Sequence, residues 1–232
     1  MAQFYKVRLP NGNVLHPADW TSAEPLYSTV ELAAGAFPVV TAFSYAIGGT
    51  VPGSPGQRQS TLGDTNLEGE GSRLPENEEL IAYSLSIEVY MIGADGASDP
   101  SGLPAVDTPE VSLPNMLRLQ RDVLVMTKIA AVKEYTHSPL SWFPASTGVM
   151  QYNSASRTLV SGGALGSVSA NNGGEGVCDK RQFASPLYVK GGETLAIDVR
   201  PGPGSVENLT LDAAARIRLR FYFEGYRKRP VA

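Results

Sequence analysis

The side chains best suited to moving a proton near neutral pH are the two histidines, His16 and His137, and the only thiol is Cys178. His16 stands beside Pro17, and His137 follows Tyr135-Thr136. One general base can suffice for catalysis. A serine nucleophile, however, needs a tight strand-to-helix elbow, and no Gly-x-Ser-x-Gly occurs. Of the short histidine motifs that bind metal, neither His-x-His nor His-Glu-x-x-His occurs. Both histidines read as surface or loop-packing residues. A lone cysteine excludes an internal disulfide and a multi-cysteine metal site. With Gly173, Gly174, Gly176 and Asp179 around it, Cys178 is expected to be a free thiol in a loop.

Carboxylates give no sharper pattern. Asp95, Asp99, Asp107 and Glu110 gather around one stretch. Asp95-Gly-Ala-Ser-Asp99 has a superficial likeness to a calcium loop, but its spacing lacks the closing bidentate glutamate. These acids read as solvated turn residues. Gly162-Gly163-Ala164-Leu165-Gly166 and Gly173-Gly174-Glu175-Gly176 lack the Lys-Ser/Thr ending of a phosphate loop and read as flexible loops. The sequence therefore predicts no catalytic residues, no metal and no cofactor.

Basic residues are the exception to this blandness. Arg216, Arg218 and Arg220 recur at a spacing of two, and Arg227-Lys228-Arg229 follow, in a chain of net charge −4. The arginines read either as a solvated sheet face or as a surface that pairs with an acidic patch on another subunit, since arginine favours interfaces. The acidic balance and the lack of interleaved aromatics argue against specific nucleic-acid binding.

Those arginines lie on the clearest strand in the chain. In Ala215–Tyr226, Ile217, Leu219, Phe221 and Phe223 alternate with Arg216, Arg218, Arg220 and Tyr222. A strand with so large an apolar side belongs against a core and in the middle of a sheet. Further strands are expected over Leu26–Leu32, Pro38–Ile47, Glu79–Ile92 and Val125–Tyr135, with short candidates at Val149–Tyr152 and Leu165–Ser169. Pro186–Lys190 and Thr194–Arg200 read as a hairpin around Gly191-Gly192. Leu113–Leu124 fits a helical face with Pro114 in its first turn and fits a strand equally well. Gly48–Gly71 is a long polar loop, of a length that usually means contact or disorder. Residues 1–25 hold one short strand, Phe4–Leu9, and are broken by Pro10, Pro17 and Pro25. They are read as an arm ahead of one domain, residues 26–232.

Composition agrees. Among 232 residues there are 24 glycines and 17 prolines. The charged share is 18%, below the usual ~25%. Many turns and short strands produce such usage, and long helices do not. Residues 1–25 contain no apolar run of a signal peptide, and Leu80–Ile92 is too short and polar to span a bilayer as a helix. The expectation is a soluble chain made in a cytoplasm. Nine or ten strands with long connections make an all-β sandwich, and a single jelly roll with long loops fits best.

Three passages resemble jelly-roll capsid proteins of tailless icosahedral bacterial viruses. The first is Thr65-Asn66-Leu67 followed by Leu74-Pro75-Glu76-Asn77-Glu78-Glu79-Leu80 and an alternating strand. The second is Lys133–Tyr135 with Pro139-Leu140 and Phe143-Pro144-Ala145. The third is the ending, Arg216–Phe223, Glu224-Gly225-Tyr226 and Arg229-Pro230-Val231. The resemblance implies a shell subunit without an active site. Its partners would be further copies of itself and other capsid proteins, and its location the virion after synthesis in a host cytoplasm. Many of these proteins carry two jelly rolls, whereas this strand count supports one.

The function expected is thus that of a viral structural protein. No membrane contact is assigned. Phe4, Tyr5, Val7, Leu9 and Trp20 in the arm are expected to grip neighbouring subunits, as is the Gly48–Gly71 loop. Arg216, Arg218 and Arg220 complete the expected interface. A virion decoration or spike protein is one alternative. Another is a carbohydrate-binding jelly roll in which Trp142, Phe143, Tyr152 or Trp20 stacks on sugar rings. A cupin-like enzyme is disfavoured by the missing histidine cluster.

Overall fold

The computed structural model describes residues 7–8, 14–15, 20–21, 25–33, 35, 38–92, 119, 121–130, 133–143, 150–151, 157–158, 164–165, 168–169, 181–201 and 216–228. Eight strands carry the fold: β1 (Leu26–Ala33), β2 (Val40–Ala42), β3 (Glu79–Ile92), β4 (Val123–Ile129), β5 (Lys133–Pro139), β6 (Arg181–Val189), β7 (Leu195–Pro201) and β8 (Arg216–Lys228). They form two antiparallel sheets. One runs β6–β3–β8, with β1 and the short strand Trp20–Thr21 on the far side of β8. The other runs β2–β7–β4–β5. The chain is therefore all-β, in a two-sheet arrangement consistent with a β-sandwich.

The expected central position of the terminal strand is observed. Residues Arg216 to Phe223 of β8 pair with β1 on one side and β3 on the other. Ile217, Leu219, Phe221 and Phe223 are buried in one cluster that also holds Val125, Ile197 and Val199 of the opposite sheet. The Phe43 and Phe223 rings meet across it at 5.3 Å between centroids. Beyond Phe223 the pairing of β8 with β3 slips at Glu224/Gly225. A β-carbon on Gly225 would sit 1.8 Å from the Ile81 carbonyl oxygen, so only glycine lets the bulge close.

Several expectations are corrected. β6 and β7 do not form a hairpin: β6 pairs with β3 in one sheet, and β7 lies between β2 and β4 in the other. The turn between them carries the chain across the sandwich and docks on the segment before β3. There the Gly192 amide donates to Leu74 O and the Leu74 amide to Glu193 O. The strand expected over Pro38–Ile47 is only Val40–Ala42. It stops because Phe43 takes a left-handed backbone, φ 60°. Of Leu113–Leu124, Leu119, Arg121 and Asp122 are helical and Val123 opens β4; the rest lies outside the described residues.

β1 is buried along both faces, which simple alternation did not anticipate. Leu26, Val30 and Leu32 face the core. Thr29 and Glu31 are also buried, because the chain from Tyr45 to Leu67 returns along β1. Part of the polar Gly48–Gly71 loop, through Pro52, Arg58 and the buried Asp64–Leu67, is thus folded onto its own sheet.

Candidate interaction surface

The side of β8 opposite the core forms the outer face of the larger sheet, and antiparallel register determines what meets there. Arg218 lies opposite Glu31, Arg220 opposite Thr29 and Tyr222 opposite Tyr27 on β1; Arg220 lies opposite Glu88 on β3. Cross-strand neighbours at such spacing touch. Arg218 Nη2 is 2.7 Å from Glu31 Oε1. Arg220 donates to Gly63 O at 2.7 Å and to Thr29 Oγ1 at 3.3 Å. The Tyr222 hydroxyl donates to Glu88 Oε2 at 2.9 Å.

Glu31, only 2% exposed, is shared by a second arginine. Arg58 Nη2 reaches the same Oε1 at 2.9 Å while its guanidinium forks onto Asp64, at 2.9 and 2.7 Å. Asp64 also accepts the Thr61 amide and hydroxyl. Two buried carboxylates are therefore neutralised by two partly exposed guanidiniums, the pairing that buried charge requires. Burial alone would raise the Asp64 carboxyl, but the bonds from Arg58 and Thr61 outweigh it and bring its pKa to about 2. Burial pushes the hydroxyls of Tyr45 and Tyr222 up to about 12, with the Asp64 and Glu88 charges adding to the rise.

The outer face of the second sheet carries a smaller cluster. Asp198 accepts Lys128 and Arg200 at 2.8 Å each and the Thr41 hydroxyl at 2.8 Å. Burial would raise this carboxyl too, but those donors hold it below its ordinary range. At the other end of the larger sheet, Tyr83 and Tyr226 meet edge to face at 5.6 Å between centroids. Beside them the Tyr188 hydroxyl donates to Glu79 at 3.0 Å.

The structure redistributes the residues that sequence reasoning selected. Arg218 and Arg220 bond within their own chain, a use that neither sequence reading had included. Trp20 lies in the strand that pairs with Lys228 and Arg227 of β8, so that part of the arm joins its own sheet. Val7 lies in a two-residue strand paired with Val14–Leu15. Phe4, Tyr5 and Leu9 fall outside the described residues. Among the residues proposed to stack on sugars, Phe143 is 2% exposed and belongs to the core, whereas Trp142 beside it is 47% exposed. His137 sits in β5 opposite Met126. His16, Cys178, Tyr152 and Asp95–Glu110 lie outside the described residues. Among the described residues no group of three or more His, Cys, Asp or Glu is placed to hold a metal ion. No helix there is long and apolar enough to cross a membrane.

Sequence reasoning missed Glu31, Arg58, Asp64 and the buried pair Arg227–Glu78. Arg227 carried a signal, since its odd number puts it in phase with Ile217 to Phe223. Arg58 and Asp64 carried none, because their partners are fixed by the path of an irregular segment. No family model, curated protein or solved structure matches the chain.

Proposed function

We propose that the chain is a structural subunit of a viral shell, folded as a single jelly roll and acting through assembly with copies of itself and with other shell proteins. The observation that carries the fold part is the order of strand pairing. β1 pairs with β8, β2 with β7, β3 with β6, and β4 with β5. Those are the pairings of one long ribbon doubled on itself. Wrapping such a ribbon into two layers brings β8 against β3 and β7 against β4, which are the two pairings that remain. That order of pairing supports the winding of a jelly roll with two Greek keys.

Jelly rolls serve lectins and cupins as well as capsids, so winding alone does not choose a function. The resemblance of the closing strand and of the Leu74–Leu80 passage to capsid subunits favours the shell. So does the outer face of the larger sheet, where Arg58 and Arg218 are already paired with Glu31 and Asp64, so that a neighbour covering that network meets paired and not lone charges. The virion, after synthesis in a host cytoplasm, is the corresponding location. A decoration or spike subunit is the same reading with a different place on the particle.

Sedimentation and electron micrographs of the purified chain test the reading. Particle-sized species are expected, and deletion of residues 2–18, which keeps Trp20–Thr21, should leave a folded monomer. A chain that stays monomeric across salt and pH, alone and with the other proteins of its source particle, overturns it. A second reading rests on exposed Trp142 as a sugar-stacking ring. Retention on a glycan array, abolished by Trp142→Ala, would favour that reading.

A further inference from the structure

A strand at the rim of a sheet presents a row of free amides and carbonyls to which another chain can add. β1 is such a strand. One of its sides is bonded to β8, and on the other the amides of Tyr27, Thr29 and Glu31 point away from the sheet. All three are occupied, each by a different device. The Tyr27 amide donates to Asn66 Oδ1 at 2.9 Å, and Asn66 Nδ2 donates to Pro25 O at 2.8 Å. The carboxamide thus bridges a carbonyl and an amide two residues apart, as the peptide of a neighbouring strand would. Thr29 donates its amide to the Tyr45 hydroxyl at 3.2 Å, and the same hydroxyl donates back to Thr29 O at 2.6 Å. That reproduces with one side-chain oxygen the reciprocal pair of an antiparallel ladder. The Glu31 amide donates to Pro52 O at 2.9 Å.

The segment that supplies these groups is fixed in place from both ends. Tyr27 O accepts the Thr65 hydroxyl at 3.0 Å. Arg58 ties the far part to Glu31 and Asp64. Gly53, at φ 77°, lies so close to β1 that a β-carbon would be 1.8 Å from Glu31 O.

We propose that Tyr45–Leu67 is a built-in occupant of a strand-addition site on β1, and that the ligand it displaces is β1 of a second copy. Two-fold antiparallel pairing centred on Thr29 would set Glu31 beside Tyr27 of the second copy, with no like charges opposed. It would also return a partner to each of the three amides. The other described rims are less suited to such pairing. β2 is three residues long. β6 contains Pro186 within a break in its register with β3, and β5 ends at Pro139 after a register slip against β4. Short length, proline and bulges are the usual means of blunting a rim. β1 has none of them and depends on the segment. The inference is independent of the shell reading, because it concerns which contact this fold suppresses.

Hydrogen exchange of individual amides in the full-length chain, combined with sedimentation over a range of concentration, tests it. The variant Tyr45→Phe/Asn66→Ala removes both side-chain bridges. In dilute solution, exchange at Tyr27 and Thr29 should quicken about tenfold or more, while Glu31, still bonded to Pro52 O, and Ser28, Val30 and Leu32, which face β8, stay slow. At higher concentration the Tyr27 and Thr29 amides should regain protection as a species of twice the mass appears. Association through other surfaces is common to parent and variant and leaves these amides unaltered. Tyr27 and Thr29 amides as slow as in the parent would overturn the proposal. So would exposed amides on a protein that gains no association at any concentration. If the double variant does not fold, Tyr45→Phe alone is read the same way at Thr29.

Discussion

Arg227 lies inside the protein with its Nε 2.7 Å from Glu78 Oε2, and neither side chain is open to solvent: Arg227 is 0% exposed. It shares the core side of β8 with Phe221 and Phe223, and continues their alternation past the bulge at Gly225. Glu78 immediately precedes β3, so the pair ties the end of the last strand to the start of its neighbour. A buried ion pair of this kind contributes little net stability, because desolvating both groups offsets their attraction. Its expected contribution is to specificity, since a register of β8 that separates the pair would leave a buried charge alone.

That argument has a measurable form. Arg227→Met should cost about 3–5 kcal/mol in urea unfolding, because it leaves Glu78 buried without its partner. Combining it with Glu78→Leu should recover most of the loss. A double variant as unstable as the single one would show that the arginine acts by packing alone.

Phe221 tests the placement of β8 directly. Its ring is wholly buried in the common cluster of both sheets. Phe221→Ala should cost about 3–5 kcal/mol, a large part of the ~5–15 kcal/mol available to a domain. Thermal melting within a degree or two of the parent would mean that the strand is dispensable to the core.

β8 was legible from sequence because its signal is periodic: alternation over eight residues defines a face without knowledge of any partner. The same rule placed β3 and, read four residues past Phe223, would have placed Arg227. What periodicity does not contain is pairing between distant segments. The Gly191-Gly192 turn looks like a hairpin turn locally, yet it spans two sheets because Leu74 and Glu76 receive it. The Pro38–Ile47 run is apolar enough for a long strand, but Phe43 turns left-handed and ends it. The polar Gly48–Gly71 stretch has no period at all. Its function as a cover for β1 depends on single atoms of Tyr45, Asn66 and Pro52, which no pattern announces. Hence the class of fold was open to sequence reasoning, and the charged network at Glu31 was not.

The bulge makes a narrower prediction. Gly225→Ala should destabilise by about 1–3 kcal/mol, because the new methyl must displace the Ile81 carbonyl. The loss should be local. Amides of Tyr226 to Lys228 should exchange faster, while Ile217 to Phe223 keep the parent's protection. Uniform loss along β8 would contradict a local steric cause.

Asp64 gives the pH dependence its direction. Its carboxyl titrates near pH 2 in the folded chain, against an ordinary 3.8. A group whose folded value is depressed binds its proton more readily when unfolded, so acid favours unfolding. Its contribution is complete above about pH 5 and disappears as pH falls from there towards 2. Arg58 is partly exposed, which limits the contribution to about 1–2 kcal/mol. Asp198 is depressed as well, so the acid limb of the parent's stability curve belongs to both carboxylates and cannot be assigned from the parent alone. The difference between the parent and Asp64→Asn isolates one of them. Measured by urea unfolding, it should be constant from pH 7 to about pH 5 and shrink towards zero near pH 2. A difference that stays constant down to pH 2 would mean that the folded carboxyl is not depressed, so that neither Arg58 nor Thr61 stabilises its charge.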